Sequence, residues 1–171
     1  MSFTEVALSV LYLLQEAKIP LSIEQMSHAL AESSEYTYLD AAISVNNLLE
    51  KNLIIKETNP MGEFYTISVD GRISLAHLKA EIRGSVRREL SAFVKENFDL
   101  LNIQSKVYTR IDRLDSGAYQ VMLRSYDKDL SMNDFILTAQ DENEAKIIAT
   151  NWERHADDAI AAIYSVLMKD I

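Results

Sequence analysis

Cysteine is absent from this chain of 171 residues, and glycine, proline and basic residues are scarce. Without cysteine there is no disulfide framework, no thiol nucleophile and no thiolate zinc site. The four glycines form neither a phosphate-binding loop nor a dinucleotide fingerprint, and no nucleophile elbow occurs. His28, His77 and His155 are too far apart in the sequence to suggest a metal-binding pair. We therefore expect no cofactor and no metal, and a protein that is not an enzyme.

Long apolar runs are also missing. The stretches 6–14 and 159–167 are too short to cross a bilayer, which needs roughly 20 apolar residues. Residues 1–14 carry one charged side chain, that of Glu5, and so lack the basic segment of a signal peptide. These features predict a cytoplasmic protein with no membrane partner.

Acidic residues outnumber basic ones, and the net charge of −9 is distributed unevenly. Residues 1–71 carry three bases against ten acids, and residues 98–171 carry eight against thirteen. Residues 72–97 carry six bases against three acids, so only this middle segment is basic. An apolar fraction of 48% is nevertheless typical of a globular chain with a real core.

Residues 1–71 show the pattern of three helices followed by a β-hairpin. Apolar residues at three- and four-residue steps predict a first helix over 3–17. Ser22 stands three residues before Gln25, a capping-box pair that predicts the start of a second helix. The third helix is predicted to run to about Asn52. Its apolar residues, which we expect to face inward, are Leu39, Ala42, Ile43, Leu48 and Leu49.

A short β-branched run over 53–58 and an alternating run over 63–68 flank the turn 59–62. Three short helices followed by such a hairpin is the order of a winged helix-turn-helix. The sequence therefore predicts a winged-helix domain over residues 1–71.

Two helices, over about 73–82 and 85–97, are predicted to form a helical connector, which we place at 72–97. From residue 98 onward the pattern predicts a three-stranded antiparallel sheet covered by a long C-terminal helix. The predicted strands lie at 107–112, 119–123 and 134–139, and the helix runs over about 142–169. The whole chain is thus predicted to be α+β, with a β-β-β-α domain at 98–171 that serves dimerisation or sensing.

Three segments resemble an uncharacterised bacterial family whose members open with a winged-helix domain. They are VALSVLYLLQEAKIPLSIEQMSHAL, YTYLDAAISVNNLLEKNLI and FYTISVDGRISLAHLKAEIRGSVRRELSAFVKEN. The recognisable points are Pro20-Leu21, the helix-strand junction from Leu48-Leu49 to Leu53, the strand and turn from Tyr65-Thr66-Ile67 to Gly71, and the segment from Ile82 to Arg87. The resemblance covers most of the chain and implies the fold and a regulatory role, without an established activity.

Duplex DNA is one partner that a winged helix would bind, as a homodimeric transcriptional regulator whose third helix enters the major groove. The candidate contacts in the third helix and hairpin are Thr37, Tyr38, Ser44, Asn47, Lys51, Lys56 and Asn59. The supply of bases is poor, because Lys51 and Lys56 are the only ones in or beside these elements. The alternative is a protein-interaction module that uses an acidic winged helix as a scaffold and binds no DNA.

A basic cluster of Arg83, Arg87 and Arg88 is predicted on one helix, with the first two residues four apart and so on one face. This cluster is either a phosphate-binding group or a face that forms ion pairs with the acidic remainder of the protein.

The end of the last helix, residues 159–167, is apolar almost all round. Either it contacts a second copy of the chain, with Ile160, Ile163, Tyr164 and Leu167 as candidate dimer contacts, or it is buried within one chain. Trp152 lies in the alternating apolar stripe of the same helix, which favours core packing over ligand stacking.

Oxygen-bearing side chains alternate over residues 127–134, as at the start of a calcium loop. The required glycine at the sixth position and acid at the twelfth are replaced by Met132 and Thr138. An acidic turn between strands is the prediction here.

Overall fold

The computed structural model describes residues 4–34, 36–104, 106–127 and 131–169, and the fold is α+β as predicted. The chain divides into two compact units, Met1–Ser105 and Lys106–Ile171. Within the described residues, no helix combines the length and the apolar character needed to span a membrane.

The first unit contains three helices, a hairpin and two further helices, in the predicted order. Its elements are α1 (Glu5–Ala17), α2 (Ile23–Ser33), α3 (Tyr38–Glu50), β1 (Ile54–Asn59), β2 (Gly62–Ile67), α4 (Val69–Leu78), a short 3-10 helix (Lys79–Glu81) and α5 (Gly84–Gln104). Helix α1 is the centre of this unit, because α2, α3, α4, α5 and β2 all pack against it. Leu8, Leu11 and Leu13 are accordingly fully buried. The predicted hydrophobic core is therefore built around the first helix.

The predicted capping box at the start of α2 is confirmed. The Ser22 hydroxyl accepts a hydrogen bond from the Gln25 N–H at 3.2 Å, and the Gln25 side chain accepts one from the Ser22 N–H at 2.9 Å. Both backbone donors lie at a helix start and would otherwise have no intrahelical partner.

The link between α1 and α2 is joined to the hairpin by a bridge that the sequence pattern did not predict. Leu21 and Tyr65 exchange two backbone hydrogen bonds, of 3.0 and 2.8 Å. Leu21 therefore forms a one-residue third strand beside β2, which fixes the hairpin relative to the helices.

Helix α4 begins earlier than the predicted 73, because Ser68 caps it. The Ser68 hydroxyl accepts from the Gly71 N–H at 2.9 Å and donates to the Asn52 carbonyl at 2.8 Å. Helix α5 continues past Asn97 to Gln104 and packs against α1 and α2. The two helices predicted as a connector thus belong to the first compact unit.

The second unit is the predicted three-stranded antiparallel sheet with a helix on one face. Its elements are β3 (Val107–Arg113), β4 (Tyr119–Asp127), β5 (Ser131–Ala139) and α6 (Glu142–Leu167), and the strand order is β3-β4-β5. Val121 at the centre pairs with Ile111 on one side and Leu137 on the other. Trp152 of α6 is 5% exposed, its ring packs edge-on against Phe135, and its indole N–H donates to the Arg124 carbonyl at 3.0 Å.

Candidate functional site

Thr37, one of the predicted DNA contacts, is the N-cap of helix α3. The Thr37 hydroxyl accepts from the Asp40 N–H at 3.3 Å, and the Asp40 carboxylate accepts from the Thr37 N–H at 2.8 Å. The Thr37 N–H and then its hydroxyl lower the pKa of Asp40 below its ordinary value. Thr37 is exposed, but its hydroxyl is hydrogen-bonded within the N-terminal cap of α3.

The buried side of α3 includes Leu48, as predicted, but differs from the predicted side at other positions. Ala41, Ser44, Val45 and Leu48 are the buried residues, and Ser44 is only 3% exposed. The prediction that Ser44 contacts DNA is therefore wrong, because its hydroxyl faces the core. The inward placement predicted for Leu39 and Ile43 is wrong as well.

The outward side of α3 carries large apolar side chains. Leu39 is 64% exposed, Tyr38 52% and Ile43 51%. Leu39 and Ile43 are four residues apart and so neighbours on the helix surface. Asn46, Asn47 and Glu50 are exposed further along the same helix. We name this surface of Tyr38, Leu39, Ile43 and Asn47 the α3 face.

Three further predicted DNA contacts lie beside α3: Lys51, Lys56 and Asn59. Lys56 Nζ lies 2.7 Å from Glu63 Oε1 on the opposite strand, and this pairing raises the pKa of Lys56 and lowers that of Glu63. Asn59 Oδ1 accepts from the Met61 N–H at 2.8 Å and so stabilises the hairpin turn. Lys51 is exposed at the C-cap of α3.

A cleft of about 550 Å³ lies between the start of α2, the start of α3 and the hairpin. Tyr38 belongs both to this cleft and to the α3 face. Glu63 also accepts from the Tyr65 hydroxyl at 3.3 Å. The residues lining the cleft are Ser22, Ile23, Glu24, Gln25, Tyr38, Met61, Gly62, Glu63, Phe64 and Tyr65. They include two carboxylates and no Lys or Arg, so the cleft is acidic as well as aromatic.

Of the predicted basic cluster, Arg83 forms an intramolecular ion pair. Its backbone N–H and its Nε both donate to Glu5 Oε1, at 2.8 and 2.9 Å. Arg87 is half-buried and Arg88 is exposed on α5. The structure thus joins Arg83 to the start of α1 through Glu5.

The predicted dimer contacts lie beyond the part of α6 that covers the sheet. Ile160 and Ile163 are half-buried, whereas Tyr164 is 55% and Leu167 75% exposed.

No group of three or more His, Asp or Glu side chains that could hold a metal ion occurs in the described ranges. The acidic turn predicted over 127–134 includes residues 128–130, which lie outside the described residues.

The chain is therefore an α+β protein whose first compact unit, made of helices and one β-hairpin, carries an exposed apolar helix face. The family model described as Domain of unknown function (DUF4364) matches residues 6–170, and the chain belongs to this family. This confirms the predicted membership of an uncharacterised family. A search of the curated proteins finds no match. A search of the solved structures finds none either.

Proposed function

We propose that the first unit is a protein-interaction module that binds its partner through the α3 face. The observation that supports this most directly is the exposure of Leu39 and Ile43, at 64% and 51%, on a helix whose other side is fully packed. Apolar side chains at a spacing of four residues on a helix are the anchors by which helices and grooves recognise each other. A contiguous exposed apolar patch on a folded protein is a feature of interaction surfaces.

The electrostatics of the same surface favour a protein over duplex DNA. Residues 36–71 carry two bases against five acids, and one of the bases, Lys56, is paired with Glu63. Affinity for DNA begins with Lys and Arg that neutralise phosphates, and these are scarce here. The transcriptional-regulator hypothesis, the cytoplasmic location and the absence of enzymatic activity stay predictions.

The cleft beside Tyr38 defines the chemistry of the partner. Glu24 lies in its wall and complements a lysine or arginine that reaches in from a bound chain, whereas Glu63 in the same wall is already paired with Lys56. Tyr38 supplies an aromatic face against which the stem of such a side chain packs. The proposed partner is therefore a polypeptide with apolar anchors flanked by basic residues.

Selection from a phage-displayed library of random peptides tests this proposal. We expect wild-type protein to enrich peptides that combine apolar and basic residues. The double variant Leu39→Ser/Ile43→Ser should bind them at least about tenfold more weakly, since each anchor contributes on the order of 1 kcal/mol. Binding is measured by fluorescence anisotropy with labelled synthetic peptides.

The matched control is Ile73→Ser, because Ile73 is 54% exposed on α4, away from the α3 face. This variant should bind the selected peptides as wild type does. Failure to enrich any peptide, or equal binding by the double variant and wild type, would contradict the proposed function.

A further inference from the structure

The second half of helix α6 is less buried than the first half. The buried residues of α6 are Ala145, Ala149, Trp152 and Ala156, all in the half that packs on the sheet. The helix is kinked at His155, where φ is −134° and ψ is 23°, one residue before Ala156, the last of these buried residues. After Ala156, no described residue of α6 is buried.

This second half is nevertheless apolar. Between residues 159 and 168 the only polar side-chain groups are the hydroxyls of Tyr164 and Ser165. Ile160 and Ile163 are half-buried. Val166 is 63% exposed, Leu167 75% and Met168 76%. Helix spacing places Ile160, Ile163, Tyr164 and Leu167 on one side, as a stripe that continues past the sheet. We call this stripe the α6 tail.

We propose that the α6 tail packs against the α6 tail of a second copy, antiparallel, about a twofold axis that passes between Ile163 and Tyr164. In this arrangement Ile160 of one copy lies against Leu167 of the other, and Ile163 lies against Tyr164 in the two central layers. A twofold interface is self-complementary, so one apolar stripe covers its own copy. This inference does not depend on the proposed role of the α3 face.

The charges at the two ends of the α6 tail favour the antiparallel orientation over a parallel one. Asp157 and Asp158 precede the apolar segment, and Lys169 and Asp170, of opposite charge, follow it. An antiparallel pair brings Lys169 of each copy to the level of the two aspartates of the other. A parallel pair would instead place four carboxylates side by side, and like charges in contact oppose association. Antiparallel helix dipoles add a small favourable term.

The length of the contact sets its strength. Residues 157–167 span only about 16 Å of helix at 1.5 Å per residue. Such a contact buries less than the roughly 800 Å² per partner of a standard stable interface. We therefore expect a concentration-dependent dimer, with a dissociation constant on the order of micromolar.

Sedimentation velocity over a range of concentrations of the full chain tests the dimer. Ile163→Glu should shift the protein to monomer by raising the dissociation constant at least about tenfold, because it places a charge in the central layer. Ile147→Glu is the matched control, since Ile147 is 52% exposed in the first half of α6. It should dimerise as wild type does, and circular dichroism checks that both variants are folded. The proposal would be overturned by a wild-type protein that stays monomeric at every concentration. It would also be overturned if Ile163→Glu and Ile147→Glu weakened dimerisation equally.

The absence of cysteine allows the orientation to be tested with single cysteines and a short bis-maleimide. In the antiparallel pair, Ile160→Cys and Leu167→Cys should cross-link efficiently when the two variants are mixed, and poorly when each is alone. In a parallel pair each variant would cross-link to itself, and that result would overturn the proposed orientation.

Discussion

Glu5 and Arg83 join the first turn of α1 to the segment that precedes α5. The Glu5 carboxylate accepts from both the backbone and the guanidinium of Arg83, and from the Tyr36 hydroxyl at 3.0 Å. Burial alone raises the pKa of Glu5, but these hydrogen bonds outweigh it, and the pKa lies below its ordinary value. The Glu5 carboxylate of α1 therefore connects that helix both to Tyr36, which precedes α3, and to Arg83, which precedes α5.

Glu5→Gln should lower the free energy of unfolding at neutral pH by about 1 kcal/mol, a modest value because the Arg83 side chain is 60% exposed. Since the folded-state pKa is lowered, the stabilisation is present above the ordinary carboxyl pKa and is lost as pH falls through the folded-state value. Urea unfolding at neutral and at acid pH measures this. The variant and wild type should converge at acid pH.

Glu96→Gln, which changes an exposed acid of α5, is the control and should leave stability within about 0.5 kcal/mol of wild type. A difference between Glu5→Gln and wild type that persisted unchanged into acid would show that charge is not the cause.

At the scale of elements, α4 shows why a glycine can be misread from sequence. Gly71 was expected in a turn, but it lies in the first turn of α4. It must be glycine because a Cβ at this position would clash with the Leu53 carbonyl oxygen. The glycine is required by close approach of two backbone segments rather than by an unusual backbone angle.

Gly71→Ala should therefore destabilise the protein by about 2 kcal/mol, although alanine is the better helix former. Urea unfolding of the variant measures the effect. Gly117→Ala is a useful contrast, because a Cβ there meets open space and the cost comes from the positive φ of +87°. A stabilised Gly71→Ala variant would refute the close approach.

Helix α3 shows where sequence periodicity stops being informative. Two apolar stripes are present, one containing Leu39 and Ile43 and the other Val45 and Leu48. Either stripe satisfies the helical period, so the pattern alone does not say which faces the core. The stripe with Ala41, Val45 and Leu48 is the one that is buried, and α3 packs against α1 and α2.

Other elements were predictable because their signals are local. The capping box of α2, the hairpin turn and the alternation of β3 and β4 all depend on residues within a few positions of one another. The Leu21 bridge, the Glu5 pair with Arg83 and the position of α5 depend on contacts between distant segments. The candidate site belongs to the second group, since its character depends on which side of α3 is buried.

At the scale of the whole molecule, two surfaces of different kinds lie on two separate compact units. The α3 face combines apolar anchors with an acidic cleft, and the α6 tail is an apolar stripe preceded by two aspartates. A dimer formed through the α6 tail would present two α3 faces. Binding to a partner with two target segments would then gain avidity without new contacts.

Fluorescence-anisotropy titration of wild-type protein against random duplex DNA at low salt tests the central claim most directly, because low salt gives phosphate contacts their greatest strength. The proposed protein-interaction module predicts no saturable binding. Saturable binding that the double variant Lys51→Ala/Lys56→Ala abolishes would contradict it, and would identify the α3 helix and the hairpin as a DNA-binding surface.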